Sequence, residues 1–173
     1  MKFKKENTQV YYATDEIVKI NKKDIEQLKQ KMKRDNVARA RMCAHKKTND
    51  GVHEMFIILK KENYVRPHRH LNRSESFYLI EGRADIIIFN QDGSISETFK
   101  LGESNTGEYI FCRMSPTVYH TVIPDSEYLV LLETTSGPLV KNTTEYAVWS
   151  PDEGSEEGSR YITEIKKNMA IRN

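Results

Sequence analysis

Three short runs in this chain, Met55–Leu59, Ile86–Phe89 and Leu129–Leu132, are apolar at every position. A strand sends alternate side chains to opposite faces, so each run needs apolar cover on both sides. Other β-like segments surround them, among them Val10-Tyr11-Tyr12, Arg39–His45, Phe77–Ile80, Tyr109–Arg113 and Tyr119–Ile123. Gln91-Asp92-Gly93 is a hairpin turn signal. Many short strands separated by turns predict a mainly β chain folded as an antiparallel sandwich or barrel. In a two-sheet sandwich only one parity of each strand meets the core. The second parity of the three apolar runs predicts a cover from outside: a helix, or a second copy of the chain pairing through a sheet. A homodimer is expected on that ground.

One helix is legible near the start. Asn21 suits an N-cap, and Asp24 and Glu26 fall in the first turn, where carboxylates favour the helix dipole. The spacing predicts a helix from Lys22 to about Arg34, with Ile25, Leu28 and Met32 as one narrow apolar stripe and the lysines as a solvated face. Ile17–Ile20 reads as extended. At 173 residues the chain fits one domain. Residues 1–37 would form N-terminal strands and a surface helix packed on the barrel, residues 38–153 the barrel, and residues 154–173 a tail. The acidic, Gly/Ser-rich stretch Pro151–Ser159 reads as loop. Tyr161–Ala170 reads as a short helix docked through Tyr161, Ile162 and Ile165.

Charged residues make up 30% of the chain, yet the net charge is only +2, which gives no drive toward nucleic acid or membrane. No helix-turn-helix with a basic recognition helix stands out. No apolar run approaches membrane-spanning length, and the first residues lack the apolar stretch of a secretory leader. Cys43 and Cys112 form no Cys-x-x-Cys pair and fit a reduced, cytoplasmic protein.

Chemistry-bearing residues gather in Tyr64–Gly82. His68 and His70 are two apart, so in a strand both imidazoles project to one side, their Cα atoms roughly 6–7 Å apart. The polar run Asn72-Arg73-Ser74 suits a turn. A second strand folding back from it would bring Glu75 to the same point. His120, in a later β-like segment, can add a third imidazole. His-x-His alone is equally two polar residues on a solvated face. Three imidazoles and a carboxylate together suit one divalent ion of Fe, Mn, Ni, Co or Zn.

The spacing of His68, His70, Glu75 and Gly82 resembles the first cupin motif, with His120 in the place of the second-motif histidine. More narrowly, the chain is similar to WbuC-family cupin metalloproteins. The matching pieces run from about residue 39 to 153 and include Arg41-Met42-Cys43-Ala44-His45, Glu54-Met55, Tyr119-His120-Thr121, Glu133, Gly137-Pro138 and Ala147–Pro151. The resemblance implies a cupin-type jelly-roll barrel with a metal on His68, His70, Glu75 and His120. It also implies a role in bacterial surface-polysaccharide (O-antigen or capsule) biosynthesis, acting on a sugar or nucleotide-sugar. The reaction stays open between an isomerase or epimerase and an Fe(II) dioxygenase, and a non-catalytic metal-dependent binding module is a third reading.

Around the metal, Arg66 shares the parity of His68 and His70. It faces either the cavity or a salt bridge at the rim. Arg41 and His45 share a strand face, which is either a basic edge or, as the resemblance implies, a pocket wall. Tyr64 and Tyr119 are candidate hydroxyl or stacking partners. Together these residues point to a small anionic or sugar-like ligand.

Overall fold

The computed structural model describes residues 2–140 and 142–172. In chain order the first elements are β1 (Phe3–Lys5), β2 (Val10–Ala13), α1 (Lys22–Arg34), β3 (Arg39–Cys43) and β4 (Val52–Lys60). They are followed by β5 (His68–His70), β6 (Glu75–Glu81), β7 (Ala84–Phe89) and β8 (Ile95–Leu101). The last are β9 (Phe111–Met114), β10 (Tyr119–Pro124), β11 (Tyr128–Ser136), β12 (Thr144–Tyr146) and α2 (Glu156–Arg172).

The strands make two sheets, ordered β1-β2-β3-β4-β11-β6-β9 and β12-β5-β10-β7-β8. This is the mainly β, two-sheet sandwich the sequence predicts. All pairs are antiparallel except β2 and β3, which run parallel. Parallel neighbours need a crossover connection, and α1 supplies it.

Register decides which side chains meet. On the larger sheet Arg41, Ile57, Leu131 and Leu79 lie side by side across four strands, and so do Cys43, Met55, Glu133 and Phe77. These rows face inward, and Leu59, Phe77, Leu79, Leu129 and Leu131 pack against Ile86, Leu101 and Val122 of the smaller sheet. The alternate residues Ala40, Met42, Ile58 and Val130 face outward, onto Ile25, Leu28 and Met32 of α1. On the smaller sheet Ile87, Phe89 and Ile123 face outward, onto Ile165 and the neighbouring Tyr161 and Ile162 of α2. Each fully apolar run thus has cover on both faces. The homodimer is expected because these faces need cover, and the chain's own helices supply it. Tyr78 and Phe111, paired across β6 and β9, lie outside that cover and stay exposed.

The helix starts are set locally. The Asn21 carboxamide accepts from the Lys23 and Asp24 amides at 2.9 and 3.3 Å, and Asp24 accepts from the Asn21 amide at 3.0 Å. This reciprocal cap contributes on the order of 1 kcal/mol. The lysines of α1 are not all solvated: Lys29 is buried, with Nζ 2.8 Å from Glu26 and 2.6 Å from Glu81. That pair of carboxylates ties the helix to β6. The second helix begins earlier than its apolar spacing suggests. The Gly158 amide donates to the Ser155 hydroxyl at 3.0 Å, and Glu156 and Glu157 sit in the first turn, so the acidic stretch is a helix start. Ile17–Ile20 carries no strand, and Ile17 is exposed.

Met32 is 1% exposed between α1 and the outer face of the sheet. Met32→Ala is expected to cost about 2–5 kcal/mol in urea unfolding, while metal content stays at the wild-type level. A parallel loss of metal would show that the outer face and the site are not independent.

Candidate metal centre

His120 lies in β10, where one neighbour, β5, sets it opposite His68 and the other, β7, opposite Ile88. His68 and His70 are alternate residues of β5, so all three rings point from the smaller sheet into the sandwich. Glu75 opens β6 on the larger sheet and meets them from the other side. One ligand atom from each of His68, His70, Glu75 and His120 falls within 4.8 Å of the others. His70, Glu75 and His120 are buried, the last at 1% exposure.

For two of the three rings the hydrogen bonds fix which nitrogen is free. His68 Nδ1 is 2.8 Å from the Arg66 carbonyl, His120 Nδ1 is 3.0 Å from the Val118 carbonyl, and His70 Nδ1 is 3.1 Å from the Thr144 hydroxyl. A carbonyl can only accept, so Nδ1 carries the proton in His68 and His120. Their Nε2 atoms are left with a lone pair. His120 Nε2 nonetheless stands 2.9 Å from Glu75 Oε2, a second acceptor. A neutral imidazole has one N–H and cannot donate to both; a metal ion or a second proton at Nε2 resolves the conflict. His70 Nε2 is buried without a hydrogen bond, 3.4 Å from Glu75 Oε1. These are the marks of a site shaped for a cation.

Electrostatics agree. Burial pushes the His68 imidazole down to about 4, helped by His120, so it is neutral and ready to ligate at pH 7. Burial pushes Glu75 up, but the His120 and His70 rings outweigh it and hold its carboxyl well below the usual range. Glu133 behaves oppositely. Burial, the nearby charge of Glu75 and a hydrogen bond between the two carboxyls raise its pKa well above that of an ordinary carboxylic acid, the direction that favours Glu133 as the donor to Glu75.

His68, His70 and Glu75 of the cluster line a cavity of about 360 Å³, which is also lined by Arg41, Arg73, Glu133, Thr144 and Tyr146. Arg41 reaches it because it shares the inward row with Ile57 and Leu131. The other candidate residues stand elsewhere. Arg66 precedes Pro67 and the strand proper, so strand parity does not extend to it. Its guanidinium pairs with Asp152, donates to Ser150 Oγ and the Ala147 carbonyl at 3.2 Å each, and stacks on Tyr146. Tyr64 donates to the Pro151 carbonyl at 3.1 Å and packs edge-on to Tyr161, holding the C-terminal segment. Tyr119 neighbours His120 on one strand and must face the other way. There it bonds Glu145 beneath the Arg69 guanidinium. His45 lies beyond the end of β3, stacked on His53 at 4.1 Å. His53 itself is in β4.

Glu133, Arg73 and Thr144 are cavity residues to which the sequence reading gives no place in the site. For Glu133 a signal exists, since it continues the inward parity of Leu129 and Leu131. Arg73 sits in a turn and Thr144 on a short edge strand, where periodicity says nothing.

The sequence pattern of a family described as a domain of unknown function (DUF6016) matches residues 20–101. No curated protein matches. Among solved structures, protein SO0799 of Shewanella oneidensis is similar at 15% identity over 60% of this chain and 66% of its own, with a TM-score of 0.49. Bacillus subtilis oxalate decarboxylase is similar at 19% identity, with a TM-score of 0.46, over 57% of this chain. The chain spans 24% of that enzyme's length. Procruciferin, an 11S globulin of Brassica napus, is similar at 14% identity over 50% of this chain and 21% of its own, with a TM-score of 0.42.

Protein purified without chelators is expected to carry a divalent metal in a 1:1 site, and His120→Ala to lose it while the far-ultraviolet spectrum stays β-like. Metal at about 1,000 times its Kd should stabilise the wild type by about 4 kcal/mol over the chelated protein. Unchanged metal content in His120→Ala would remove that residue from the ligand set.

Proposed function

We propose that this chain is a metal-dependent cupin enzyme acting on a sugar-sized substrate in bacterial surface-polysaccharide synthesis. The observation that carries the metal dependence is the cluster of His68, His70, Glu75 and His120, three of which line an open cavity with His120 buried behind them, and a buried His70 Nε2 left for a cation. The pathway rests on the WbuC-like pieces of sequence. A metal held there would act as a Lewis acid on a carbonyl or hydroxyl, or lower the pKa of a bound water. The chain's own residues do the rest. The Arg66, Val118 and Thr144 oxygens fix the rings, and Glu133 holds the Glu75 carboxylate in one orientation.

Cavity size narrows the substrate. At about 360 Å³ the space lies near the lower end of the ~300–1,000 Å³ range of small-molecule sites. A monosaccharide or its phosphate suits it. The nucleotide of a nucleotide-sugar would lie at the mouth.

The test begins with metal analysis of protein purified without chelators, because the ion's identity selects the chemistry. Sugar phosphates, sugar acids and nucleotide-sugars are then incubated with the metal-loaded protein and followed by NMR. Turnover in the wild type and none in His120→Ala is the expected result. Oxygen uptake by the Fe(II) form would identify a dioxygenase, and binding without turnover a non-catalytic module.

A further inference from the structure

Two arginines face the cavity without a carboxylate of their own. Arg73, in the turn between β5 and β6, donates from Nη1 to the Thr143 hydroxyl at 3.5 Å and from Nη2 to the Thr144 hydroxyl at 3.3 Å. Its Nε is buried with no hydrogen-bond partner. A guanidinium has five N–H donors, so three remain unused. Arg41 comes from the opposite sheet, and the contact its guanidinium makes is a weak one, Nη1 to Met55 Sδ at 3.9 Å. Among the described residues, neither arginine forms an ion pair, whereas Arg39, Arg66, Arg69 and Arg83 each do. Glu133, on the same cavity wall, hydrogen-bonds Glu75 and not either arginine. Arg73, half-buried with an unpartnered Nε, and the more exposed Arg41 therefore stand beside a site that would itself hold a cation. For Arg73, whose Nε is buried without a partner, a ligand that brings negative charge offsets the cost of that burial.

We infer that Arg73 and Arg41 form an oxyanion subsite of this cavity. Its ligand is a compact polyhydroxylated molecule with a carboxylate or phosphate at one end and a metal-binding hydroxyl or carbonyl at the other. The guanidinium fork matches either oxyanion with paired, charge-assisted hydrogen bonds, roughly twice as strong as neutral ones. Thr144 places the subsite next to the metal, because its hydroxyl meets both Arg73 Nη2 and His70 Nδ1, at 3.3 and 3.1 Å. The subsite lies with Arg41 and Arg73, not with Arg66, whose guanidinium is taken up by Asp152, Ser150 and Ala147.

This inference rests on the metal-dependent reading above, and the two are separable by experiment. Metal-loaded wild type, Arg73→Gln, Arg41→Gln and Arg66→Gln are titrated by calorimetry with D-gluconate, D-glucose 6-phosphate and D-glucose, and the metal content of each protein is measured alongside. The expected result is binding of at least one anionic probe, with D-glucose at least tenfold weaker. Arg73→Gln and Arg41→Gln should each lose about tenfold or more in affinity for that probe, the scale of one hydrogen bond to a charged group. Metal content should not change, and Arg66→Gln should bind like the wild type. Preference for gluconate would identify a carboxylate ligand, and preference for glucose 6-phosphate a phosphorylated one. Equal affinity for D-glucose, no binding of either anion, or full affinity in Arg73→Gln would overturn the subsite. Anion binding that persists in metal-free protein would leave the subsite standing and overturn the metal dependence instead.

Discussion

The approach of Glu75 to His120 joins the two halves of the sandwich. The carboxylate belongs to the larger sheet and the imidazoles to the smaller one, so the site exists only while the sheets hold their spacing and register. A slip of one residue in β10 would turn His120 outward and bring Tyr119 or Thr121 inward. The apolar rows on either side of the cluster fix that register. They place a buried acid and three buried bases where desolvation alone would not keep them.

Holding the sheets in place is the work of side chains that face away from the site. Each central strand is apolar on both faces, and the outer faces are closed by helices from opposite ends of the chain. Helix α1 is a crossover between two parallel strands, which gives it a fixed place on the larger sheet. Helix α2 has no such topological tie. Its position depends on Ile165 and its neighbours, on the Tyr64 hydroxyl at Pro151, and on the Arg66 guanidinium at Ala147, Ser150 and Asp152. Two residues that read as ligand contacts in the sequence thus brace the C-terminal segment.

The metal cluster was the most legible part of the sequence, because His-x-His and an opposite carboxylate follow directly from strand periodicity. The same parity brings Arg41 to the cavity and would have brought Glu133, whose apolar neighbours concealed it. Parity misplaced Arg66, because the strand starts at His68 and the residues before it are not pleated. It did not place Arg73, because a turn has no period. Tyr119 shows the reverse failure, since its strand was read correctly but its adjacency to His120, which excludes it from the cavity, was not applied. The start of α2 was lost to composition, because Gly and Ser among acids suggested loop where Ser155 and two glutamates make a helix N-terminus.

The Thr144 hydroxyl stands between a metal-binding imidazole and an arginine, and it belongs to a three-residue strand at the edge of its sheet. One hydroxyl hydrogen-bonds both neighbours, so the position of each bears on the other. Such sharing makes the two positions thermodynamically reciprocal: whatever factor an ion at His70 adds to the affinity of an anion at Arg73, the anion returns to the ion. With the proposed ion and anion both bound in such a cavity, each would change the hold on the other by the same factor.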